Sequence, residues 1–264
     1  MFDGINTLFR VTDETGSLAA LPCWEVLVYE QTGKRVDDCK TAHLRGLNLA
    51  YKPSINGGYN FIVKGSLHKW YNAGSDNAGR FSMEDVQTAV NSLCDVFEMP
   101  PDQAELHGLE IGVNIVLPFP ALRVLKNAVS YKGKPFTAIN KRNVHKGLIC
   151  ALNDYELKLY DKAAQSGVDC GQVLRLEVKV NKMRFLKDYQ LTTLAALTEP
   201  AKAYAAKQVL FIALDTIIWT DTSANLNTMT DREQKQWLYL SNPKTGSIYP
   251  RKKPTGNAKS SLPF

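Results

Sequence analysis

The sequence lacks several features that would place it in other classes of protein. It contains no run of about 18 apolar residues and does not begin with basic residues followed by an apolar stretch. Its five cysteines are odd in number and form no CxxC pair, which argues against a disulfide framework and against a zinc knuckle. We therefore expect reduced thiols, a cytoplasmic location and no membrane partner.

Acidic residues are missing from two stretches of a moderately basic chain, whose net charge is +6 and whose pI is about 8.9. Neither 132–146 nor 241–264 contains Asp or Glu. The first stretch is predicted to be a basic connection that faces either solvent or DNA. The second has too few apolar residues to fold alone. Both stretches favour an anionic partner.

The order of patterns predicts an α+β protein in which an antiparallel sheet is backed by helices. Its 264 residues, 44% of them hydrophobic, suffice for one large core. Strand patterns predominate up to residue 185 and helical patterns follow it. The main predicted elements are strands at 21–30, 45–51 and from 59, a helix from Ser82 to Phe97 capped by Ser82 and Asp85, a strand at 106–117, a short helix at 120–129, a hairpin at 155–183, and later helices at 185–198, 200–219 and 231–240.

The predicted hairpin places a tyrosine among charged side chains, because alternate residues of a strand point to opposite faces. In its first strand Tyr155, Leu157 and Leu159 share one face, and the other carries Glu156, Lys158, Tyr160 and Lys162. In its second strand the polar face carries Arg175, Glu177 and Lys179. Such a surface suits attack by a phenolate on a phosphodiester. The simpler interpretation is an amphipathic hairpin whose polar face meets water.

Two other strands also have a polar face. In the strand at 106–117, Glu110 lies between Gly108 and Gly112, which leaves room for a ligand, and Asn114 follows on the same face. In the strand that begins at Tyr59, alternation predicts that the polar residues share one face. These residues are Lys64, Ser66 and His68.

Three segments, taken together and in order, resemble the replication initiators of filamentous single-stranded DNA phages and related phage and plasmid nicking proteins. They read NFIVKGSLHKWYNAGSDN, LHGLEIGVNI, and LKLYDK followed by VLRLEVKVNKMRFLKDYQLTTL, and they span about residues 58–198. The resemblance implies an HUH-endonuclease-like sheet of about five strands. Together with the change from strand to helix patterns near 185 and the composition of the last residues, it predicts a nicking domain at 1–185, a helical extension at 186–240 and a basic flexible tail at 241–264.

The resemblance also implies roles for individual residues. The family's nucleophile falls on Tyr160, a basic residue of the tyrosine strand on Lys162, and its two metal-binding carboxylates on Glu110 and Glu177. Asp76 occupies a loop position that carries His in the family and is the candidate third ligand, although an Asx turn explains it equally well. The family's wider class carries His-x-His, which is absent here. A carboxylate-rich site favours Mg²⁺ or Mn²⁺ over zinc.

The expected partner is DNA at a replication origin, single-stranded or as melted duplex, in the bacterial host of a phage or plasmid. Host replication proteins are further candidate partners. The candidate DNA-binding residues are Lys64, His68, Lys69, Asn114, Lys158, Arg175 and Lys179.

The predicted activity is metal-dependent nicking and joining of one DNA strand. Attack by Tyr160 leaves a 5′-phosphotyrosyl bond and a 3′-hydroxyl that primes rolling-circle replication. Two alternatives stay open. A DNA-binding regulator without catalysis is favoured by the missing His-x-His, and a single-stranded nucleic-acid binder would stack bases on Tyr59, Trp70 and Tyr71.

Overall fold

A computed structural model describes most of the chain. The described residues are 2–12, 18, 24–77, 79–141, 144–167, 171–220 and 228–241. In chain order the strands are β1 (Phe2–Val11), β2 (Glu25–Val28), β3 (Arg35–Leu44), β4 (Leu47–Pro53), β5 (Tyr59–Ser66), β6 (Glu105–Val116), β7 (Ala128–Tyr131), β8 (Lys134–Pro135), β9 (Thr137–Lys141), β10 (Val144–Ala151), β11 (Tyr155–Asp161), β12 (Val173–Val180) and β13 (Ile217–Trp219). The helices are α1 (Leu67–Tyr71), α2 (Met83–Val96), α3 (Ala121–Asn127), α4 (Lys162–Ser166), α5 (Pro200–Thr216) and α6 (Asp231–Ser241).

The main sheet has ten antiparallel strands in the order β2-β3-β4-β5-β1-β6-β12-β11-β10-β9. Its two halves share one topology: a long strand, β1 or β6, is followed by a four-stranded meander whose last strand returns to pair with it. β1 and β6 then pair with each other and join the halves. The α+β prediction is confirmed, but the expected count of about five strands was too low, because the sheet has five strands in each half.

The hydrophobic core fixes the face that each strand of the hairpin presents. Leu157 and Leu159 of β11 lie opposite Val178 and Leu176 of β12, and all four are buried. Because β11 and β12 keep strict register, the polar residues between them must lie on the opposite face. The predicted separation of apolar and polar faces is therefore confirmed.

The predicted helix after Ser82 is also confirmed. The Ser82 hydroxyl accepts a hydrogen bond from the Asp85 backbone N–H, and the Asp85 carboxylate accepts one from the Ser82 N–H. This capping box satisfies two backbone donors at the start of α2. Val90 and Leu93 then pack into the core.

The region after β12 is less helical than predicted. Helical spacing was expected through 185–198, but this segment forms two short 3₁₀ helices, Met183–Tyr189 and Ala195–Thr198. α5 begins with Pro200 in its first turn, as expected, because proline needs no hydrogen-bond partner there. Leu186 and Leu197 belong to the same hydrophobic core as the sheet. The domain boundaries at 185 and 240 stay predictions, and 242–264 lies outside the described residues.

Two local predictions were wrong. The basic stretch 132–146 is largely strand, since it supplies β8, β9 and the start of β10. β8 belongs to a separate sheet of order β13-β7-β8. The strand alternation predicted from Tyr59 to His68 stops at Ser66, which caps α1 by accepting a hydrogen bond from the Lys69 N–H.

Three of the five cysteines lie among the described residues. Cys39, Cys94 and Cys150 are free, and Cys23 and Cys170 lie outside the described residues. Within the part of the chain that the structure describes, no helix has the length and apolar character needed to cross a membrane.

Candidate active site

Strand register brings residues from β6, β12 and β11 together on one face of the sheet. Residues directly opposite in an antiparallel ladder share a face, and their side chains lie close together. Three such rows cross the strands, and each contains one residue of β12 between its partners on β6 and β11. The rows are Asn114–Arg175–Tyr160, Gly112–Glu177–Lys158 and Glu110–Lys179–Glu156.

The phenol of Tyr160 lies on this surface, next to Glu177, and is buried, with 9% of the residue exposed. Its hydroxyl donates a hydrogen bond of 2.9 Å to Oε2 of Glu177, and Lys158 Nζ donates one of 3.1 Å to Oε1. Burial and the negative charge of Glu177 raise the pKa of Tyr160 above its ordinary value. Tyr160 is therefore a neutral hydrogen-bond donor in the free protein.

Glu177 is ionised despite being buried. Burial opposes its negative charge, but Arg175 and Lys158 outweigh that effect and hold its pKa below the usual range. Arg175 Nε donates a hydrogen bond of 3.0 Å to Oε2, the same oxygen that accepts from Tyr160. Glu177 thus holds both the phenol and the guanidinium in fixed positions.

The guanidinium of Arg175 connects three strands. Besides Glu177, it donates to Asn114 Oδ1 at 3.1 Å and to Asp3 Oδ2 at 2.8 Å. Gly112 leaves the space that this group fills, because a Cβ there would lie 2.9 Å from a guanidinium nitrogen. Since its donors are used inside the protein and it is buried, Arg175 positions the cluster more than it presents charge to solvent.

Asp3 is a member of the site that the sequence did not reveal. It is buried, at the start of β1, where the pairing with β6 has a register shift between Phe2 and Ile5. Its carboxylate accepts hydrogen bonds from Ser66 Oγ and, at 3.0 Å, from Asn77 Nδ2. The resemblance begins near residue 58, so a lone carboxylate at the start of the chain carried no signal.

Lys162 reaches the same cluster from the first residue of α4. It is buried, and its Nζ donates to Asn77 Oδ1 at 2.8 Å and to Gln165 Oε1 at 3.4 Å. Asn77 therefore connects Lys162 to Asp3. Asn77 is the last residue of the first segment that resembles the phage initiators. The sequence predicted no role for Asn77 or for Gln165.

Glu110 lies next to this network. Its carboxylate packs over Gly4, where any Cβ would overlap it, and Lys179 Nζ lies 3.4 Å from its Oε1. Burial and the nearby charge of Glu177 raise the pKa of Glu110. The pKa of Glu110 is thus raised and that of Glu177 lowered, although both residues were predicted to bind the same metal ion.

The structure does not bring Asp76 to the two glutamates. Asp76 lies in the exposed loop after α1, where its backbone carbonyl accepts a hydrogen bond from Asn72 Nδ2. Across the described ranges, no three His, Cys, Asp or Glu residues form a group that could hold a metal ion. The carboxylate that joins Glu110 and Glu177 around a common cavity is Asp3.

This site cavity has a volume of about 460 Å³ and carries groups of both signs. Tyr160 faces it together with three carboxylates and three ammonium groups. The charged residues that line it are Asp3, Glu110, Glu177, Lys146, Lys158 and Lys162. The arrangement can accept a phosphate group beside the ammonium groups and a cation beside the carboxylates.

The remaining candidate DNA-binding residues have different environments. Lys64 is exposed and lines a neighbouring cavity of about 220 Å³ together with Lys179. Lys69 packs its stem over Gly46. His68 is buried and stacks on Phe81 with 4.4 Å between ring centroids, and its burial lowers its pKa. His68 is therefore neutral near pH 7 and does not offer a positive charge.

Two of the three aromatic residues expected to stack on bases pack within the protein. Tyr59 stacks on Tyr51 with ring centroids 4.8 Å apart, and Trp70 is buried against Phe97. Tyr71 is exposed. The aromatic surface proposed for a single-stranded nucleic-acid binder is thus reduced to one residue.

Comparison with known proteins finds a likeness to solved structures but no match among sequences. Neither protein-family models nor curated proteins match this sequence. A solved structure that it resembles is the rolling circle replication initiator protein from Geobacillus stearothermophilus, with a TM-score of 0.41 and 13% identity over 91% of this chain and 94% of that chain. The case for a function rests on the residues of the site.

Proposed function

We propose that this protein is a replication initiator that nicks one DNA strand at an origin and becomes joined to it through Tyr160. The observation that carries the proposal is the 2.9 Å hydrogen bond from the buried Tyr160 hydroxyl to Glu177, inside a cavity lined by Lys146, Lys158 and Lys162. A tyrosine held by a carboxylate and faced by cations is equipped to attack a phosphodiester. The resemblance of the three sequence segments to phage initiators supports the same assignment.

The proposed reaction exchanges one phosphodiester bond for another. The Tyr160 hydroxyl loses its proton to hydroxide from solvent, the Tyr160 oxygen bonds to phosphorus, and the bond from phosphorus to the 3′-oxygen breaks. The 3′-oxygen takes a proton from water and becomes the hydroxyl that primes synthesis. Because the 5′-phosphotyrosyl bond keeps the free energy of the original linkage, a later 3′-hydroxyl can reverse the step without ATP.

The ammonium groups provide the positive charge that this reaction requires. Negative charge builds up on the phosphate oxygens in the transition state, and fixed cations in a partly dry cavity stabilise it more than water does. Lys162 is held by Asn77 and Gln165, and Lys158 by Glu177, so both are positioned before substrate binds. We assign Lys162 to the leaving oxygen, in agreement with its catalytic role in the sequence prediction.

A divalent cation fits the carboxylate side of the cavity. Mg²⁺ usually binds one or two protein carboxylates together with substrate phosphate oxygens, so a set of three ligands is not required. Glu110 is the best candidate, because its raised pKa reflects unfavourable negative charge that a cation would relieve. We propose Glu110, with Asp3 or Glu177, as the Mg²⁺ or Mn²⁺ ligands in place of the set that included Asp76. When bound, the ion would neutralise charge on the phosphate.

A direct test is to trap the covalent product. The protein is incubated with a pool of random-sequence single-stranded oligonucleotides and Mg²⁺, and adducts that survive denaturation are digested and mapped by mass spectrometry. We expect the nucleotide on the peptide that contains Tyr160. A second substrate is a supercoiled plasmid that carries the replication origin of the DNA molecule encoding this protein. The proposal is wrong if neither this plasmid nor the oligonucleotide pool gives an adduct.

One observation favours a second candidate, a DNA-binding regulator without catalysis. The charged groups of Asp3, Arg175 and Glu177 already satisfy one another, as they would in a site that has become purely structural. Such a protein would bind the same oligonucleotides and form no adduct, so the same experiment separates the two functions.

A further inference from the structure

A second pocket adjoins the site cavity at an edge that the sheet leaves open. β1 pairs with β6 only as far as Phe2 opposite Ile111, so 112–116 of β6 extend beyond it. Within the described residues no strand pairs with this part of β6 on that side. The space between this edge and α5 is a pocket of about 580 Å³, a size typical of small-molecule sites. We call it the edge pocket.

One face of α5 forms the outer wall of the edge pocket. Lys207, Leu210, Phe211 and Leu214 line it, and their spacing of three, four and seven residues places them on one side of the helix. Phe211 is 57% exposed although its side chain is large and apolar. Val113 on the opposite wall is also exposed. An exposed apolar surface in a concave site is typical of a place where a ligand binds.

Positive charge surrounds this apolar surface. Arg80 and Lys207 are exposed and line the edge pocket, so it offers both flat apolar walls and cations. This combination suits the segments of single-stranded nucleic acid, in which each base is planar and apolar on its faces and each phosphate is anionic. A purely apolar ligand would gain nothing from the two cations.

The edge pocket adjoins the site cavity. Asp3 lines both, and Arg175, whose guanidinium is bound to Asp3, lines the edge pocket. A group bound in the edge pocket therefore lies next to the cluster that holds Tyr160. The two spaces are thus adjacent, as the binding of a base and of a neighbouring phosphate requires.

We propose that the edge pocket binds one unpaired base of the DNA strand, stacked on Phe211, with a neighbouring phosphate in the site cavity. This inference rests on the proposed function for the identity of the strand, but base binding and cleavage are separable. It assigns single-stranded rather than paired DNA as the bound form, since a base in a duplex is not free to enter such a pocket.

The test compares two probes of equal length, oligo(dT) and the same phosphate–deoxyribose chain without bases. Fluorescence anisotropy measures their affinities for the wild type and for two variants of α5. Phe211→Ala removes the proposed stacking surface. Ile212→Ala is the matched control, because Ile212 is 53% exposed on the same helix and does not line the edge pocket.

We expect the wild type to bind oligo(dT) more tightly than the base-free chain. In Phe211→Ala the ratio of the two affinities should fall by roughly five- to 150-fold, the range for one stacked base. Ile212→Ala should keep it. Equal affinity of the wild type for both probes, or an unchanged preference in Phe211→Ala, overturns the inference. A pocket filled by other residues of this protein would give the same result. If the preference depends on Phe211 but no adduct ever forms, only the proposed cleavage fails.

Discussion

Tyr160 donates its hydrogen bond to Glu177, which is not the residue directly opposite it in the sheet. Tyr160 lies opposite Arg175, and Glu177 lies opposite Lys158. The 2.9 Å bond is therefore diagonal and connects two cross-strand pairs. Because Arg175 donates to the same Glu177 oxygen, the position of the phenol depends on the whole cluster.

The first prediction concerns Tyr160→Phe. Phenylalanine keeps the buried ring and removes only the hydroxyl, and Glu177 retains Arg175 and Lys158 as donors. We expect complete loss of the DNA adduct, unchanged DNA affinity, and a change in unfolding free energy of about 1 kcal/mol. Adduct gels, anisotropy and urea denaturation measure the three quantities.

Tyr155→Phe is the matched control on the same strand. Tyr155 faces the core, where its hydroxyl lies 2.9 Å from that of Tyr131 and its ring stacks on Phe185. The variant should still form the adduct but lose about 1–3 kcal/mol of stability, because the Tyr131 hydroxyl is left buried without this partner. An adduct found on Tyr155 would show that the nucleophile had been assigned to the wrong strand face.

The second prediction is that adduct formation accelerates with pH. Since burial and Glu177 raise the pKa of Tyr160, the phenolate is scarce at neutral pH and its share rises about tenfold per pH unit below that pKa. Glu177, whose pKa is lowered, stays ionised throughout. Single-turnover rates at saturating DNA should therefore rise from about pH 6 to about pH 9. A flat profile, or one that falls over this range, contradicts attack by the Tyr160 phenolate.

The third prediction is that the two glutamates have opposite effects on stability. The folded-state pKa of Glu177 is lowered, so its charge stabilises the fold above the ordinary glutamate pKa and loses this effect as pH falls. The pKa of Glu110 is raised, so its favourable contribution exists at low pH and is lost as pH rises through the folded-state value.

At about pH 8, Glu177→Gln should thus lower the urea midpoint, with a loss of about 3 kcal/mol in the free energy of unfolding, because Arg175 and Lys158 lose their counter-charge. Glu110→Gln should leave the midpoint unchanged or raise it. At about pH 4 the difference in unfolding free energy between the two variants should be smaller. Equal destabilisation by both at pH 8 would mean that Glu110 is also a stabilising charge.

Local patterns predicted the faces of the hairpin, because the period of a strand and the apolar residues Leu157 and Leu159 suffice to fix them. They did not predict which distant groups complete the site. Asp3 lies 172 residues from Arg175 along the chain, and only the pairing of β1 with β6 brings the two together. Asp76 lies in an exposed loop. Neither strand alternation nor burial predicts which way a side chain in such a loop points.

The number of strands was underestimated for a related physical reason. β1 and β3 contain Asp, Asn, Lys and Thr among their apolar residues and have no clean alternation, so their pairing depends on neighbours such as β4 and β5. The burial of Tyr160 also follows from context. β10 lies beside it, and Gly147 has no side chain, which lets Tyr160 pack directly against that strand.

The fourth prediction compares a buried cation with a partly exposed one on the same strand. Arg175→Ala leaves Asp3 and Glu177 buried without their shared partner, and we expect a loss of about 3–5 kcal/mol in urea denaturation. Lys179→Ala breaks a partly exposed pair with Glu110 and should cost no more than about 1 kcal/mol. Similar losses in the two variants would show that Arg175 does not organise the cluster.

The fifth prediction distinguishes the two sets of metal ligands. If Glu110 holds Mg²⁺ or Mn²⁺ with Asp3 or Glu177, then chelation and Glu110→Ala should each abolish adduct formation while DNA affinity is kept or increased, since negative charge is lost. Asp76→Ala is the control, because Asp76 lies in an exposed loop and does not line the site cavity. It should keep full activity at every Mg²⁺ concentration.

Calorimetric titration with Mn²⁺ in the presence of an uncleavable oligonucleotide gives a readout independent of cleavage. Hard oxygen ligands at Glu110 predict that Mn²⁺ binds the wild type and Asp76→Ala alike, and Glu110→Ala at least tenfold more weakly. Asp3→Asn is informative only if it remains folded, because Asp3 also pairs with Arg175, so its unfolding midpoint is measured first. Weak Mn²⁺ binding by both Glu110→Ala and Asp76→Ala would restore the ligand set first predicted from the sequence and would mean that the loop after α1 moves to the site when DNA binds.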